Sequence, residues 1–330
     1  MCRQVTRVGW NHASLKNYYE QWAQATEAGL THAQAQELAE GPPKKARKQL
    51  AAALAGGRSL TSLLDPAPSW MPRIDATLLS LGSETGKLPQ TLHRLSERHA
   101  LLSKRGRAAA LVAIYPLFVI HAAAFLLPLT GMIDFEVGFQ FESSAYARAV
   151  LRILLPLWAG LWVIRRAFAT DSPLLHHCLR WLPLWRGQQR FQALSDFTFS
   201  LGTALDAGIS ARRAWETASR TTPDPALSEL ARRADVLIDS GGDPVAAVRQ
   251  AMWLPADVRA LYQSGAQTGT LDANLLKISA LYEDRARLRT TVAVGAYIAL
   301  LALLAAGWMV YGIFQTYSAY FDGLLRFMDS

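Results

Sequence analysis

The chain has 330 residues, of which 51% are hydrophobic and only 18% charged, with a net charge of +8; soluble domains average about a quarter charged. With a mean hydropathy of +0.10, that balance excludes a disordered chain, and two cysteines, Cys2 and Cys178, exclude a disulfide scaffold or a cysteine-rich zinc site. What remains is a membrane protein or an unusually apolar globular one, with no secretory leader expected, because Met1–Trp10 carries two arginines and no apolar h-region.

In chain order, Tyr18, Trp22, Ala25 and Gly29 come first, on the spacing of one helix face. Ala28-Gly29-Leu30-Thr31 then supplies a left-handed glycine stop at Gly29 and a hydroxyl that can cap the next helix. A basic run follows, Pro42-Pro43-Lys44-Lys45-Ala46-Arg47-Lys48. It either meets an acidic protein surface or solvates a helix start, so Lys44, Lys45, Arg47 and Lys48 form a possible partner surface. Beyond Gly56-Gly57 and Met71-Pro72 stands the block Gly82-Ser83-Glu84-Thr85-Gly86-Lys87-Leu88, which opens an apolar stripe of Leu88, Leu92, Leu95 and His99. The block has three residues between its glycines and Leu88 after the lysine, whereas a phosphate loop needs four and then Ser or Thr. A glycine-bounded turn with Thr85 as N-cap of the next helix is the expectation.

After the basic residues Lys104, Arg105 and Arg107, the run from Ala108 to Ile133 has no charge and is long enough to span a bilayer, which takes about 20 apolar residues. A loop over 132–149 carries Asp134, Glu136, Glu142 and Arg148. The segment Val150–Phe168 is charge-free only from Ile153 to Ile164, flanked by Arg152, Arg165 and Arg166, whose long side chains can reach headgroups. By itself it fits a buried core helix equally well. A third run, Thr290 to Phe321, is again charge-free and is preceded by Arg285, Arg287 and Arg289. Basic residues before the first and last runs place both approaches on the cytoplasmic side, and only 150–168 can bring the chain back between them. The loop is net −2 and the tail 322–330 net −1, which against +8 overall leaves +11 on everything else.

The second cytoplasmic region repeats the first. Phe197, Leu201, Ala204 and Gly208 follow Tyr18, Trp22, Ala25 and Gly29 at an offset of 179, and Ala207-Gly208-Ile209-Ser210 repeats the helix stop. Gly241-Gly242 and Leu254-Pro255 pair with Gly56-Gly57 and Met71-Pro72. Gly265-Ala266-Gln267-Thr268-Gly269-Thr270-Leu271 repeats the turn block at an offset of 183, with the stripe Leu271, Leu275, Ile278 and Tyr282. The second repeat has four more residues between its first glycine and its block, which Thr221–Pro225 is expected to hold as an enlarged loop.

The paired G-x-x-[ST]-G-x-L blocks, the A-G-[LI] stops, Ile114-Tyr115-Pro116 in the first apolar run and Arg190-Phe191 opening the second repeat resemble the type II secretion system F family over residues 15–316. These are inner-membrane platform proteins of secretion pathways and type IV pilus machines. The family's usual G-E-x-[ST]-G has Ser83 and Ala266 at its Glu position here, so no carboxylate or calcium role is carried over. The resemblance implies partners: a hexameric assembly ATPase, pilin or pseudopilin subunits, other inner-membrane components and further copies of the chain.

Other chemistry finds little support. Neighbouring residues on a helix point about 100° apart, so His176-His177-Cys178 suits an interfacial turn better than a metal site. His121, within an apolar run, is either functional or a neutral ring bonded to a neighbouring helix. No nucleophile–base arrangement assembles, and no aromatic-interleaved basic groove for nucleic acid is present. The reading is therefore an all-α polytopic membrane protein with two homologous cytoplasmic helical bundles and three transmembrane helices, not an enzyme, without cofactor or metal. Residues 1–107 form the first bundle, and 108–168 two transmembrane helices (about 108–131 and 150–168). Residues 169–289 form the second bundle, and 290–330 a third helix (about 291–314) with a short periplasmic tail. The structural motif is Gly82, Thr85, Gly86 and Leu88 with Gly265, Thr268, Gly269 and Leu271, and the helix stops are Gly29 and Gly208. The N-terminus lies in the cytoplasm, the C-terminus in the periplasm, and the function is that of a platform; a polytopic transporter subunit is the alternative, weakened because the repeats lie outside the apolar runs.

Overall fold

The computed structural model describes residues 11–130, 132–134, 138–139, 141–170, 183–222 and 224–328. Among the described residues the regular structure is helical, apart from one two-residue antiparallel pair. It divides into two compact units, Met1–Gly106 with Ala169–Arg289, and Arg107–Phe168 with Thr290–Ser330.

The first unit holds both repeats. Helices α1 (His12–Glu27), α2 (His32–Leu38), α3 (Lys44–Ala55), α4 (Leu60–Leu64), α5 (Arg73–Glu84) and the start of α6 (Leu88–Thr130) make the first. The second is α8 (Pro183–Asp206), α9 (Ala211–Thr221), α10 (Pro225–Asp239), α11 (Val245–Gln250), α12 (Ala256–Thr268) and the start of α13 (Leu271–Met328). The apolar stripes of α1 (Leu15, Tyr18, Tyr19, Trp22, Ala23) and α8 (Leu194, Phe197, Leu201, Ala204) are buried in one hydrophobic cluster that runs through both repeats. Hydrophobic burial thus joins the repeats into one core.

Each repeat punctuates its helices in the same way. Gly29 (φ +84°) and Gly208 (φ +76°) are left-handed. The amides that follow, Leu30 and Ile209, reach back to Ala25 O and Ala204 O at 3.0 and 3.1 Å, the double closure of a Schellman stop. Thr31 caps α2 in a full capping box with Gln34, whereas Ser210 starts α9 with no side-chain cap. The next stop pairs Gly57 (φ +82°) with Gly241 (φ +74°), so the doublets Gly56-Gly57 and Gly241-Gly242 are out of register by one residue. The extra residues of the second repeat are not in an enlarged loop. They lengthen helices: 11 residues in α9 against 7 in α2, and 15 in α10 against 12 in α3. The connection itself shrinks from 39–43 to 222–224. Asp224 caps α10 through bonds from the Ala226 and Leu227 amides, with Pro225 at its start, so Asp224-Pro225 begins a helix.

In the second unit α6 continues without a break to Thr130, the short strands β1 (Ile133–Asp134) and β2 (Gly138–Phe139) pair, and α7 (Ser143–Thr170) starts seven residues before the apolar segment expected at 150. The helix α13 runs on through the segment expected as a tail, to Met328. At 1.5 Å per residue α6 and α13 are about 65 and 87 Å long. Large apolar side chains lie open on all three helices, among them Tyr115 (75% exposed), Leu155 (63%) and Phe314 (72%). Among the described residues no helix is long and apolar enough to cross a membrane; many side chains of the three apolar runs fall outside that set.

Candidate functional site

The paired turn blocks divide their labour between two glycines. A Cβ on Gly82 would lie 2.5 Å from Thr91 Oγ1 and 3.4 Å from Leu88 Cα, and one on Gly265 would lie 2.9 Å from Leu271 Cα and from Asn274 Nδ2. These first glycines let α5 and α12 press against the helices that follow. Gly86 (φ +71°) and Gly269 (φ +72°) have open space where a Cβ would stand, so there the backbone conformation selects glycine. Leu88 is buried and Leu271 half-buried against the core. The threonines correct the N-cap expectation. Thr85 donates to Leu81 O at 3.0 Å and Thr268 to Ser264 O at 2.9 Å, each closing the preceding helix. A hydroxyl in the last turn of a helix finds the carbonyl four residues back before it meets the next helix.

Lys87 does not stand in a phosphate loop. Its Nζ donates to Asp206 O at 2.8 Å, on the last residue of α8, where a cation suits the negative end of the helix dipole. The hydroxyl of Thr270, its counterpart, lies 2.8 Å from that of Thr268, within its own repeat. Around Lys87 the first repeat meets the second through charges: Arg94 Nε to Asp206 Oδ2 at 3.3 Å, Arg213 to Glu84 at 2.5 Å, and Arg98 to Asp196. Arg98 also stacks over Phe199 at 4.5 Å. Apart from Glu84, which lies in the turn block, these residues have no periodicity or motif in the sequence that would single them out.

Each stripe ends in a hydrogen bond to an aspartate of the helix before it. His99 Nε2 meets the buried Asp75 Oδ2 at 2.8 Å, the Tyr19 hydroxyl donates to the same oxygen at 2.8 Å, and His12 Nδ1 lies 2.9 Å from His99 Nδ1. Burial, together with the Asp75 charge, pushes the Tyr19 hydroxyl pKa far up, so it stays a donor. In the second repeat Tyr282 donates to Asp257 Oδ1 at 2.7 Å, and Arg285 pairs with Oδ2 at 2.8 Å. Burial pushes the Asp257 carboxyl up, but the bonds from Tyr282 and Arg285 and the arginine charge outweigh it and hold the pKa below the ordinary value.

In the basic run Lys44, Lys45 and Lys48 are exposed. Arg47 is half-buried, and its Nε donates to Pro42 O at 3.1 Å. His121 has both ring nitrogens occupied, Nδ1 by Leu117 O at 2.6 Å and Nε2 by the indole N–H of Trp158 at 3.2 Å. That is the bonding of a neutral ring held between α6 and α7. His176, His177 and Cys178 lie outside the described residues, among which no three His, Cys, Asp or Glu side chains gather as for a metal ion.

Comparison with known proteins agrees with this duplicated geometry. The family described as "Type II secretion system (T2SS), protein F" matches twice, over residues 18–133 and 197–317. The two matches begin 179 residues apart, at Tyr18 and Phe197, the same offset as the first helix stripes. The type IV pilus assembly protein PilC of Thermus thermophilus is 24% identical over 330 residues, covering 91% of this chain and 80% of that protein. Matched in both of its repeats, the chain belongs to the type II secretion system protein F family.

Proposed function

We propose that this protein is an inner-membrane platform of a type IV pilus or type II secretion machine, coupling a cytoplasmic assembly ATPase to extraction of pilin or pseudopilin subunits and to filament assembly. The observation that carries this reading is continuity: α6 and α13 leave the bundle unit and run unbroken into charge-free apolar stretches. A continuous helix transmits a displacement that a loop would absorb. The open apolar faces of the second unit favour the same reading, because large exposed apolar surfaces suit lipid or a protein partner. On it, residues 1–107 and 169–289 are the cytoplasmic bundles, about 108–131, 150–168 and 291–314 cross the bilayer, and the C-terminus is periplasmic. The ATPase, pilins, other machine components and further copies of the chain are its partners, through the bundles or within the membrane.

The test is topological and functional together. Alkaline phosphatase, active only after export, is fused at Glu142, at Gly187 and at the C-terminus, and filament or exoprotein output is scored in cells lacking the protein. Activity at Glu142 and the C-terminus, silence at Gly187 and loss of output are expected. Activity at Gly187, or normal output without the protein, would overturn the reading.

A further inference from the structure

Between the start of α1 and the start of α3 the structure holds an open cavity of about 440 Å³, within the range of roughly 300–1,000 Å³ typical of ligand pockets. Trp70, Pro42 and Pro43 supply apolar wall; Ser14, Lys45 and Gln49 supply polar groups. The surrounding contacts hold its shape. Gly41, at φ +150°, presses the 39–43 loop onto α1 so closely that a Cβ would stand 2.9 Å from Ser14 O and from Tyr18 Cβ. Arg47 ties down Pro42 O, and Trp70 stands edge-on to Tyr18 with ring centroids 5.7 Å apart. The corresponding connection of the second repeat is only 222–224, so this loop belongs to one repeat alone.

Lys45 lines the cavity, and Lys44 and Lys48 stand beside it on the same helix. Lys44, Lys45 and Lys48 are exposed, and among the described residues no carboxylate pairs with them. Lys44 and Lys45 stand in the first turn of a helix with no side-chain cap and no acidic residue there, and Lys48 one turn on; the helix dipole already disfavours cations at that end. Among the described residues nothing uses that charge. A simple anion would satisfy the lysines but leave the tryptophan–proline wall in water, whereas a peptide carrying both carboxylates and an apolar side chain satisfies both.

We propose that this cavity receives an acidic peptide segment of a protein partner, one aromatic or large apolar side chain entering against Trp70 and Pro42-Pro43 while neighbouring carboxylates meet Lys44, Lys45 and Lys48. The inference rests on the platform reading for its premise that the chain works against other proteins. Its test, however, is binding by the purified chain, which can fail while filament assembly stands.

The full-length protein is placed in phosphatidylcholine nanodiscs, and anisotropy of a fluorescein-labelled Glu-Glu-Phe-Glu-Glu amide is followed. Saturable binding is expected, weakened about tenfold or more by K44A/K45A/K48A, since charge pairs at a rim steer and register a partner. Trp70→Ala is expected to weaken it about fivefold, and to add nothing when the peptide's Phe is replaced by Ala, as a double-mutant cycle requires of a direct contact. R232A/R233A, a control pair on α10, is expected to change the affinity by less than about twofold. Unchanged thermal melts keep the lysine variants interpretable. The proposal is overturned by equal affinity in K44A/K45A/K48A, or by an equal loss in R232A/R233A. It is overturned also if inorganic phosphate displaces the peptide while Phe→Ala has no effect, which would leave a plain anion site. Abolition of binding in phosphatidylglycerol nanodiscs would assign the lysines to lipid headgroups instead, and would overturn it too.

Discussion

At the residue scale, the turn blocks separate a requirement for space from a requirement for backbone conformation. At Gly86 a Cβ would meet nothing, so the cost of Gly86→Val is that of a β-branched residue at φ +71°, about 1–3 kcal/mol. Gly86→Asn, which tolerates that region, should cost less, and thermal melts of the full chain will rank the two. The sister residue Thr270 suggests from sequence alone that Lys87→Ala is mild. Its bond to Asp206 O changes that expectation: Lys87→Ala should cost about 0.5–1.5 kcal/mol, more than Thr270→Ala. Melts of those two variants decide the order. For Asp257, the folded carboxyl titrates below its ordinary value of 3.8. Its contribution is therefore complete above that pH and is lost as the pH falls through the lowered folded pKa. The stability gap between the parent and Asp257→Asn should close over that acid range, and a gap that widens there would refute the assigned pairing.

At the element scale, the helix stops were legible because they are local: a left-handed residue needs glycine wherever it occurs, and A-G-[LI] marks it twice. Hydroxyls were harder to read. Thr31 is a cap, but Thr85 and Thr268 bond backward, and sequence gives no way to choose between the two helices that flank a short turn. The longer α9 and α10 were misread as a loop because Pro-Asp-Pro looks like a turn, yet Asp224 caps a helix there. The Arg98–Asp196 and Arg94–Asp206 pairs were beyond reach, since long-range charge pairing leaves no period in the chain. The length of α6 carries a prediction of its own. Leu101 is exposed, 37%, so Leu101→Pro should break the helix, at about 3 kcal/mol, with little loss of packing. Filament or exoprotein output should fall at normal membrane level of the protein, measured by immunoblot; undiminished output would mean that continuity of α6 is dispensable.

At the scale of the whole molecule, the two repeats act as one body in their unit because opposite charges and a common core bind them. Arg98, with a side chain only 10% exposed, and Asp196, at 26%, should show this by charge exchange. Arg98→Asp leaves two carboxylates facing each other at a nearly buried site and should cost about 3–5 kcal/mol, lowering the melting temperature of the full chain. Adding Asp196→Arg should return more than half of the loss; no recovery would mean that the stacking on Phe199 alone holds Arg98. The unit is also discontinuous along the chain, since residues 107–168 leave it and 169–289 complete it. Lys87 finds its acceptor 119 positions later, and Glu84 its arginine 129 positions later. Synthesis proceeds at roughly 5–20 residues per second, so the basic face of the first repeat emerges roughly five to twenty seconds before α8, with Asp196 and Asp206, is made. During that interval Arg94 and Arg98 have no acidic helix to cover them. The order of translation makes the nascent first repeat a cationic surface awaiting its own continuation.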